Sequence, residues 1–149
     1  MKVEPLTHAP ILIVDDDEIV RRSMKRMLRS VGFENVRLAS NSREALEEVQ
    51  GGELELVLLD LHLGAESGMR LLIDLHRADP NLSVVVVTAQ DRLDLLVRCM
   101  EVGAVDCVLK PVRPTLLIDT VLQNLEASRR RRRIGLSHRS STEALPLVE

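Results

Sequence analysis

The chain of 149 residues is long enough for one folded domain with a sizeable core and little more. It has 45% hydrophobic and 29% charged residues, which is typical of globular proteins. It has one Phe and no Tyr or Trp, which argues against binding single-stranded nucleic acid by base stacking. Residues 1–128 carry 14 basic and 21 acidic side chains, whereas residues 129–149 carry six Arg and two Glu. The first part of the chain is therefore acidic and the end is basic, and an acidic domain is poorly suited to bind duplex DNA.

Targeting signals are absent from the sequence, and we therefore expect a cytoplasmic protein. Residues 1–10 lack the apolar segment of a secretory signal, and no aliphatic run is long enough to cross a bilayer. The two cysteines, Cys99 and Cys107, lack metal-ligand spacing. That favours two reduced thiols over a metal site.

Five short apolar runs are predicted to be β-strands, and they lie at residues 11–14, 36–39, 56–59, 84–87 and 107–109. The first, third and fourth runs are continuous rather than alternating. Continuous runs are typical of strands that are buried on both faces, as in a parallel sheet.

Helical patterns separate these strands, and they are predicted at residues 20–31, 41–50, 68–78, 91–102 and 115–129. This alternation predicts an α/β fold with helices on both faces of a parallel sheet. Beyond residue 128 an arginine run leads into small polar residues, which predicts a basic, disordered tail. The expected organisation is an extension at residues 1–9, a domain at 10–128 and the tail at 129–149.

Polar residues directly follow four of the predicted strands, and these residues are Asp15, Asp16, Asp17, Asp60, Thr88 and Lys110. The carboxyl ends of parallel strands meet at one edge of the sheet, where such folds bind ligands. If the first and third strands are neighbours, three carboxylates converge, and their repulsion would be relieved by a cation such as Mg²⁺. A metal, a lysine and a carboxylate nucleophile are the parts needed for phosphoryl transfer.

From about residue 10 to 128 the chain resembles the receiver domains of bacterial response regulators. The matching segments are Ile-Leu-Ile-Val-Asp15-Asp16-Asp17, Leu-Leu-Asp60 with Gly68 eight residues later, Val-Val-Thr88-Ala89 and Leu-Lys110-Pro111. The resemblance implies a flavodoxin-like, doubly wound, five-stranded parallel sheet with strand order 2-1-3-4-5. It also implies a phosphoacceptor protein of a two-component system, apparently stand-alone, rather than an enzyme.

The resemblance also assigns roles to residues. Asp60 would be the nucleophile that takes a phosphoryl group from a histidine kinase or phosphotransfer protein and then loses it slowly. Thr88 and Lys110 would bind phosphoryl oxygens, as would the backbone N–H groups of His62 and Ala89. The bond between Lys110 and Pro111 would be cis.

The implied cofactor is Mg²⁺. Its ligands would be Asp16 and Asp60, the backbone carbonyl of His62, and Asp15 acting mainly through a water molecule. Asp17, one position beyond the acidic pair, is predicted to cap the following helix instead.

The sequence departs from the family in two places. Cys107 occupies the position where receivers usually carry Tyr or Phe as a signalling side chain, and Gly64 stands where many have Pro. How the signal is transmitted without that aromatic residue is therefore open. We expect it to pass by contact with another protein, or through a homodimer, since residues 129–149 are too short for a DNA-binding unit.

Two other functions remain open at this point. In a haloacid-dehalogenase-like phosphatase, Asp15 would be the nucleophile and Asp17 the general acid, which would leave Asp60 without a role. In a degenerate receiver, the domain would serve only as a docking module.

Overall fold

The computed structural model describes residues 5–142, with side chains described as far as residue 135. The described residues form seven strands: β1 (Ile11–Val14), β2 (Val36–Ala39), β3 (Leu56–Leu59), β4 (His62–Leu63), β5 (Glu66–Ser67), β6 (Ser83–Thr88) and β7 (Asp106–Leu109). Five of them form one parallel sheet with the order β2-β1-β3-β6-β7. The other two, β4 and β5, form a short antiparallel pair beside it.

The predicted fold is confirmed. When the short β4–β5 pair is set aside, the sheet has the order 2-1-3-4-5 of a doubly wound fold. The strands pair without offset, so that Val14 lies beside Ala39 on one side and beside Leu59 on the other. This register brings the carboxyl ends of β1 and β3 to the same level.

Five α-helices connect the strands: α1 (Glu18–Arg29), α2 (Ser42–Gln50), α3 (Gly68–Ala78), α4 (Leu93–Glu101) and α5 (Pro114–Thr142). A 3₁₀ turn, Leu6–His8, precedes β1. The Asp17 carboxylate accepts the N–H groups of Ile19 and Val20, so its predicted capping role is confirmed. Asn41 likewise caps α2 by accepting the N–H of Glu44.

Helix α5 is longer than the sequence predicted. It passes the expected end near Arg129 and continues to Thr142, because arginine is a good helix former and Arg129 is held to the body by Glu55. The expected disorder is thus not found at residues 129–142, and residues 143–149 lie outside the described residues. The division of the chain into a domain and a tail stays a prediction.

Apolar side chains fill a separate core on each face of the sheet. One core joins β1, β3 and β6 to α2, α3 and α4 through residues such as Leu72 and Cys99. The other joins the sheet to α1 and α5 and contains Phe33, the chain's single aromatic residue, fully buried. No helix among the described residues is both long and apolar enough to cross a membrane.

Gly68, the first residue of α3, packs against the loop that follows β3. A Cβ atom at this position would lie 2.6 Å from the carbonyl oxygen of Asp60 and equally close to the carbonyl carbon of Leu61. Its own N–H donates to the Leu61 carbonyl oxygen at 3.0 Å. Glycine is therefore required where α3 approaches the loop that carries Asp60.

We predict that Gly68→Ala lowers the free energy of unfolding by about 1–3 kcal/mol, because the added methyl group meets backbone that cannot move aside. Gly135→Ala is the matched control. Its Cβ would meet nothing within 4 Å and alanine favours the surrounding helix, so stability should not fall. Urea denaturation measures both variants, and an unchanged midpoint for Gly68→Ala would contradict the packing argument.

Candidate functional site

The polar residues at the strand ends meet at one edge of the sheet. Asp15 and Asp16 follow β1, Asp60 follows β3, Thr88 ends β6 and Lys110 follows β7. Backbone pairing continues one residue beyond the strands, since the N–H of Asp60 donates to the Val14 carbonyl and that of Lys110 to the Thr88 carbonyl. The backbone hydrogen bonds of the sheet therefore fix the positions of these residues.

Three carboxylates converge at this edge. Asp15, Asp16 and Asp60 each offer an oxygen atom, and these atoms all lie within 4.8 Å of one another. Asp15 is fully buried and Asp60 is 5% exposed, whereas Asp16 is open to solvent. Such a set of hard oxygen atoms, with one open side, suits a hydrated Mg²⁺ ion.

A lysine lies between the two buried carboxylates. Lys110 Nζ is 2.8 Å from Asp15 Oδ2 and 2.9 Å from Asp60 Oδ2. The same Asp15 carboxylate accepts the N–H of Asp17 at 2.9 Å through Oδ1. Both oxygens of Asp15 are thus engaged, and its position is fixed.

Burial and ion pairing shift the pKa values at this edge. Burial raises the pKa of Asp15 more than the hydrogen bonds from Lys110 and Asp17 lower it. Ionised Asp15 therefore costs stability at neutral pH, and the cost is relieved as pH falls through its raised pKa.

Burial lowers the pKa of Lys110, but the hydrogen bonds to Asp15 and Asp60 outweigh burial, so its pKa lies above the ordinary 10.5. The stability that Lys110 contributes is present below pH 10.5 and is lost as pH rises through the raised pKa.

The remaining predicted site residues surround Asp60. The N–H of His62 donates to Asp60 Oδ1 at 3.1 Å, while the His62 side chain is exposed. Thr88 is buried, and its Oγ1 accepts the N–H of Gln90 at 3.3 Å, which leaves its hydroxyl hydrogen free to donate. Ala89 follows it at the exposed end of β6, and the predicted cis bond between Lys110 and Pro111 is present.

One contact at this edge was not predicted from the sequence. Arg21 Nη1 donates to the backbone carbonyl oxygen of Asp15 at 2.6 Å. The sequence holds a weak signal for it, since Arg21 lies one helical turn after the capping residue Asp17 and so faces the same loop. Arg21 helps to hold the loop that carries two of the three clustered carboxylates.

The two departures from the family pattern have structural consequences. Gly64 adopts φ +62°, a conformation that proline cannot take, so the glycine gives this loop a different path. Cys107 is half-buried in β7 and Cys99 is fully buried in α4. Burial raises the pKa of both thiols, which keeps them protonated and unreactive.

Comparison with known proteins agrees with this arrangement. The sequence matches the response regulator receiver domain family over residues 11–122. Nodulation protein W of Bradyrhizobium diazoefficiens is 34% identical over 129 residues, which cover 87% of this chain and 56% of that protein. The chemotaxis protein CheY of Thermotoga maritima is 26% identical over 111 residues, which cover 74% of this chain and 92% of that protein.

Solved structures give the same result. A CheY-like receiver domain protein of Methanospirillum hungatei has a TM-score of 0.78 at 30% identity, covering 83% of this chain and 98% of that chain. NtrX of Brucella abortus has a TM-score of 0.83 at 28% identity, covering 95% of this chain but 31% of that chain. The chain thus spans about half the length of Nodulation protein W and a third of NtrX. From its sequence and its fold together, this chain belongs to the response regulator receiver domain family of two-component systems.

Proposed function

We propose that this receiver domain accepts a phosphoryl group on Asp60 from a histidine kinase or phosphotransfer protein. The observation that carries the proposal is the position of Lys110, whose Nζ lies 2.8 Å from Asp15 and 2.9 Å from Asp60. A fixed cation beside a buried carboxylate can neutralise the charge that arrives with a phosphoryl group. A kinase donor of this kind also favours a cytoplasmic location.

In the proposed reaction, a carboxylate oxygen of Asp60 attacks phosphorus, and the bond between phosphorus and the donor's imidazole nitrogen breaks. The product is an acyl phosphate on Asp60 and a neutral donor histidine, whose other ring nitrogen carries a proton before the bond breaks. Lys110 and the Thr88 hydroxyl then donate to phosphoryl oxygens, together with the N–H groups of His62 and Ala89. A carboxylate oxygen attacks without losing a proton, so the step uses no general base.

The expected metal is Mg²⁺, which would neutralise charge between Asp60 and the phosphoryl group. Asp16, Asp60 and the His62 carbonyl would hold the ion, and Asp15 would act mainly through a water molecule. The convergence of the three carboxylate oxygens within 4.8 Å supports this assignment. The exposed side of Asp16 leaves room for the water ligands that Mg²⁺ retains.

The phosphatase alternative fits the geometry less well. Both oxygens of Asp15 are engaged, and the Asp17 carboxylate accepts two N–H groups at the start of α1. A nucleophile and a general acid would have to give up these contacts. The docking-module alternative does not account for the full set of Asp15, Asp16, Asp60, Thr88 and Lys110 at one edge.

The proposed output is contact with a downstream protein. That protein would bind a surface of the domain outside the phosphorylation site. Phosphorylation would shift the balance between two conformations of the domain, and the downstream protein would bind one of them more tightly. With Cys107 in place of an aromatic residue, that shift must use other side chains.

We predict that a small phosphodonor such as acetyl phosphate, with Mg²⁺, adds one phosphoryl group to the wild-type protein and none to Asp60→Asn. Asp15→Asn should still accept the group, even if weakly. Intact-mass spectrometry with and without a chelator measures the product. An adduct that survives Asp60→Asn but is lost in Asp15→Asn would instead support the phosphatase scheme.

A second prediction concerns the metal. Mg²⁺ should raise the melting temperature of the wild-type protein by binding the folded state, and Asp16→Asn should reduce the rise. Asp17→Asn is the matched control, because it removes a neighbouring charge yet keeps a good helix cap. Equal Mg²⁺ responses in all three proteins would place the metal elsewhere.

A third prediction concerns Lys110. Without divalent metal at pH 7, Lys110→Ala should lower the free energy of unfolding by about 1–3 kcal/mol, because two buried carboxylates lose their shared cation. Adding Asp60→Asn to this variant should recover part of the loss by removing one of the two charges. Urea denaturation gives both values. If the double variant is no more stable than Lys110→Ala, charge repulsion is not the cause.

A further inference from the structure

A cavity lies at the amino-terminal edge of the sheet, opposite the edge that carries Asp60. It has a volume of about 570 Å³, within the range of small-molecule sites. Its walls are the end of α3, the turn before β6, the turn after α4 and one face of α5. All four α5 residues that line it lie beyond residue 122, where the match to the receiver family ends.

The α5 wall is a regular helical stripe. Ser128, Arg131, Arg132 and Gly135 line the cavity at the spacing i, i+3, i+4 and i+7, which places them on one side of the helix. This side is held against the body by Glu55, whose carboxylate lies 2.9 Å from Arg129 and 3.5 Å from Arg132. The wall is therefore a fixed part of the folded chain.

Three side chains that line the cavity have no hydrogen-bond partner among the described residues. Within residues 5–135, neither the guanidinium of Arg131 nor the imidazole of His76 has a hydrogen bond or ion pair. Ser128 is 4% exposed, and its hydroxyl likewise has no hydrogen bond to another described residue. Asp79 is the one carboxylate that lines the cavity among the described residues, and it already accepts the N–H of Asn81 at 3.0 Å.

These unpaired groups indicate the chemistry of a ligand. An unpaired hydroxyl and an unpaired guanidinium can both donate to an acceptor-rich group, and arginine binds phosphate and carboxylate groups with two parallel hydrogen bonds. Arg132 contributes less, because its charge is already paired with Glu55. Gly135 adds no side chain, and a Cβ atom there would meet nothing within 4 Å, so the α5 side of the cavity stays open.

We propose that this cavity binds a small organic anion whose phosphate or carboxylate group is held by Arg131 and Ser128. His76 closes one side of the site. Its ring is fixed beside Gly103, where a Cβ atom would lie 2.7 Å from the His76 Cγ atom. The site shares no residue with the carboxyl edge that carries Asp60.

The test is a titration of the full ¹⁵N-labelled chain with inorganic pyrophosphate and, separately, citrate, followed by NMR in buffer without divalent metal. The amide signals of Asn81, Leu82 and Ser128 should shift in a saturable way, while those of His62 and Ala89 should not. Without metal, the clustered carboxylates at the Asp60 edge repel anions. The two probes distinguish a phosphate ligand from a carboxylate ligand.

Two variants and one control decide the outcome. Arg131→Gln should weaken binding about tenfold or more, the loss expected for a charged hydrogen bond. Gly135→Leu should also weaken binding by filling open space, without disturbing the helix. Arg130→Gln is the matched control, since it removes the same charge from a neighbouring exposed position that does not line the cavity.

The proposal is overturned if neither probe shifts these signals in the wild-type protein. It is also overturned if Arg130→Gln weakens binding as much as Arg131→Gln, which would mean general attraction to the arginine run. Loading of Asp60 by acetyl phosphate is measured in a separate assay. A failure there would therefore count against the proposed phosphoacceptor function and not against this site.

Discussion

The carboxyl edge of the sheet depends on one electrostatic constraint, the sharing of Lys110 between two buried carboxylates. Asp15 and Asp60 begin on adjacent strands, and their charges cannot be buried side by side without a cation. Lys110 reaches both from the end of β7, across β6.

The rest of the fold serves to hold that edge in place. Zero-offset pairing of β1 with β3 sets the two carboxylates at one level, and Asp17 starts α1 immediately after them. Gly68 lets α3 pack directly against the loop after Asp60. At the other end of β3, Glu55 precedes the strand and binds the arginine run of α5. The four residues of β3 thus lie between Asp60 at the carboxyl edge and the ion pairs of Glu55 with α5.

Much of the fold and most of the candidate site could be predicted from the sequence, because the signals are local. Continuous apolar runs mark strands buried on both faces, and Gly32, Asn41 and Asp17 mark where helices end or begin. A polar residue directly after such a run must lie at the carboxyl edge of a parallel sheet. The placement of Asp15, Asp60, Thr88 and Lys110 followed from this rule.

The sequence by itself determined the five strands of the parallel sheet, the order of strands and helices along the chain, and the polar residues at the carboxyl edge, but not the short β4–β5 pair. Only the tertiary structure decided that Lys110 pairs with both carboxylates, that Arg21 holds the Asp15 carbonyl and that α5 continues beyond Arg129. The first and third of these features depend on contacts between residues far apart in the chain, which are Lys110 with Asp15 and Asp60, and Glu55 with Arg129. Local patterns of apolar and polar residues carry no information about such partners, because a side chain's distant neighbours are set only when the layers pack together.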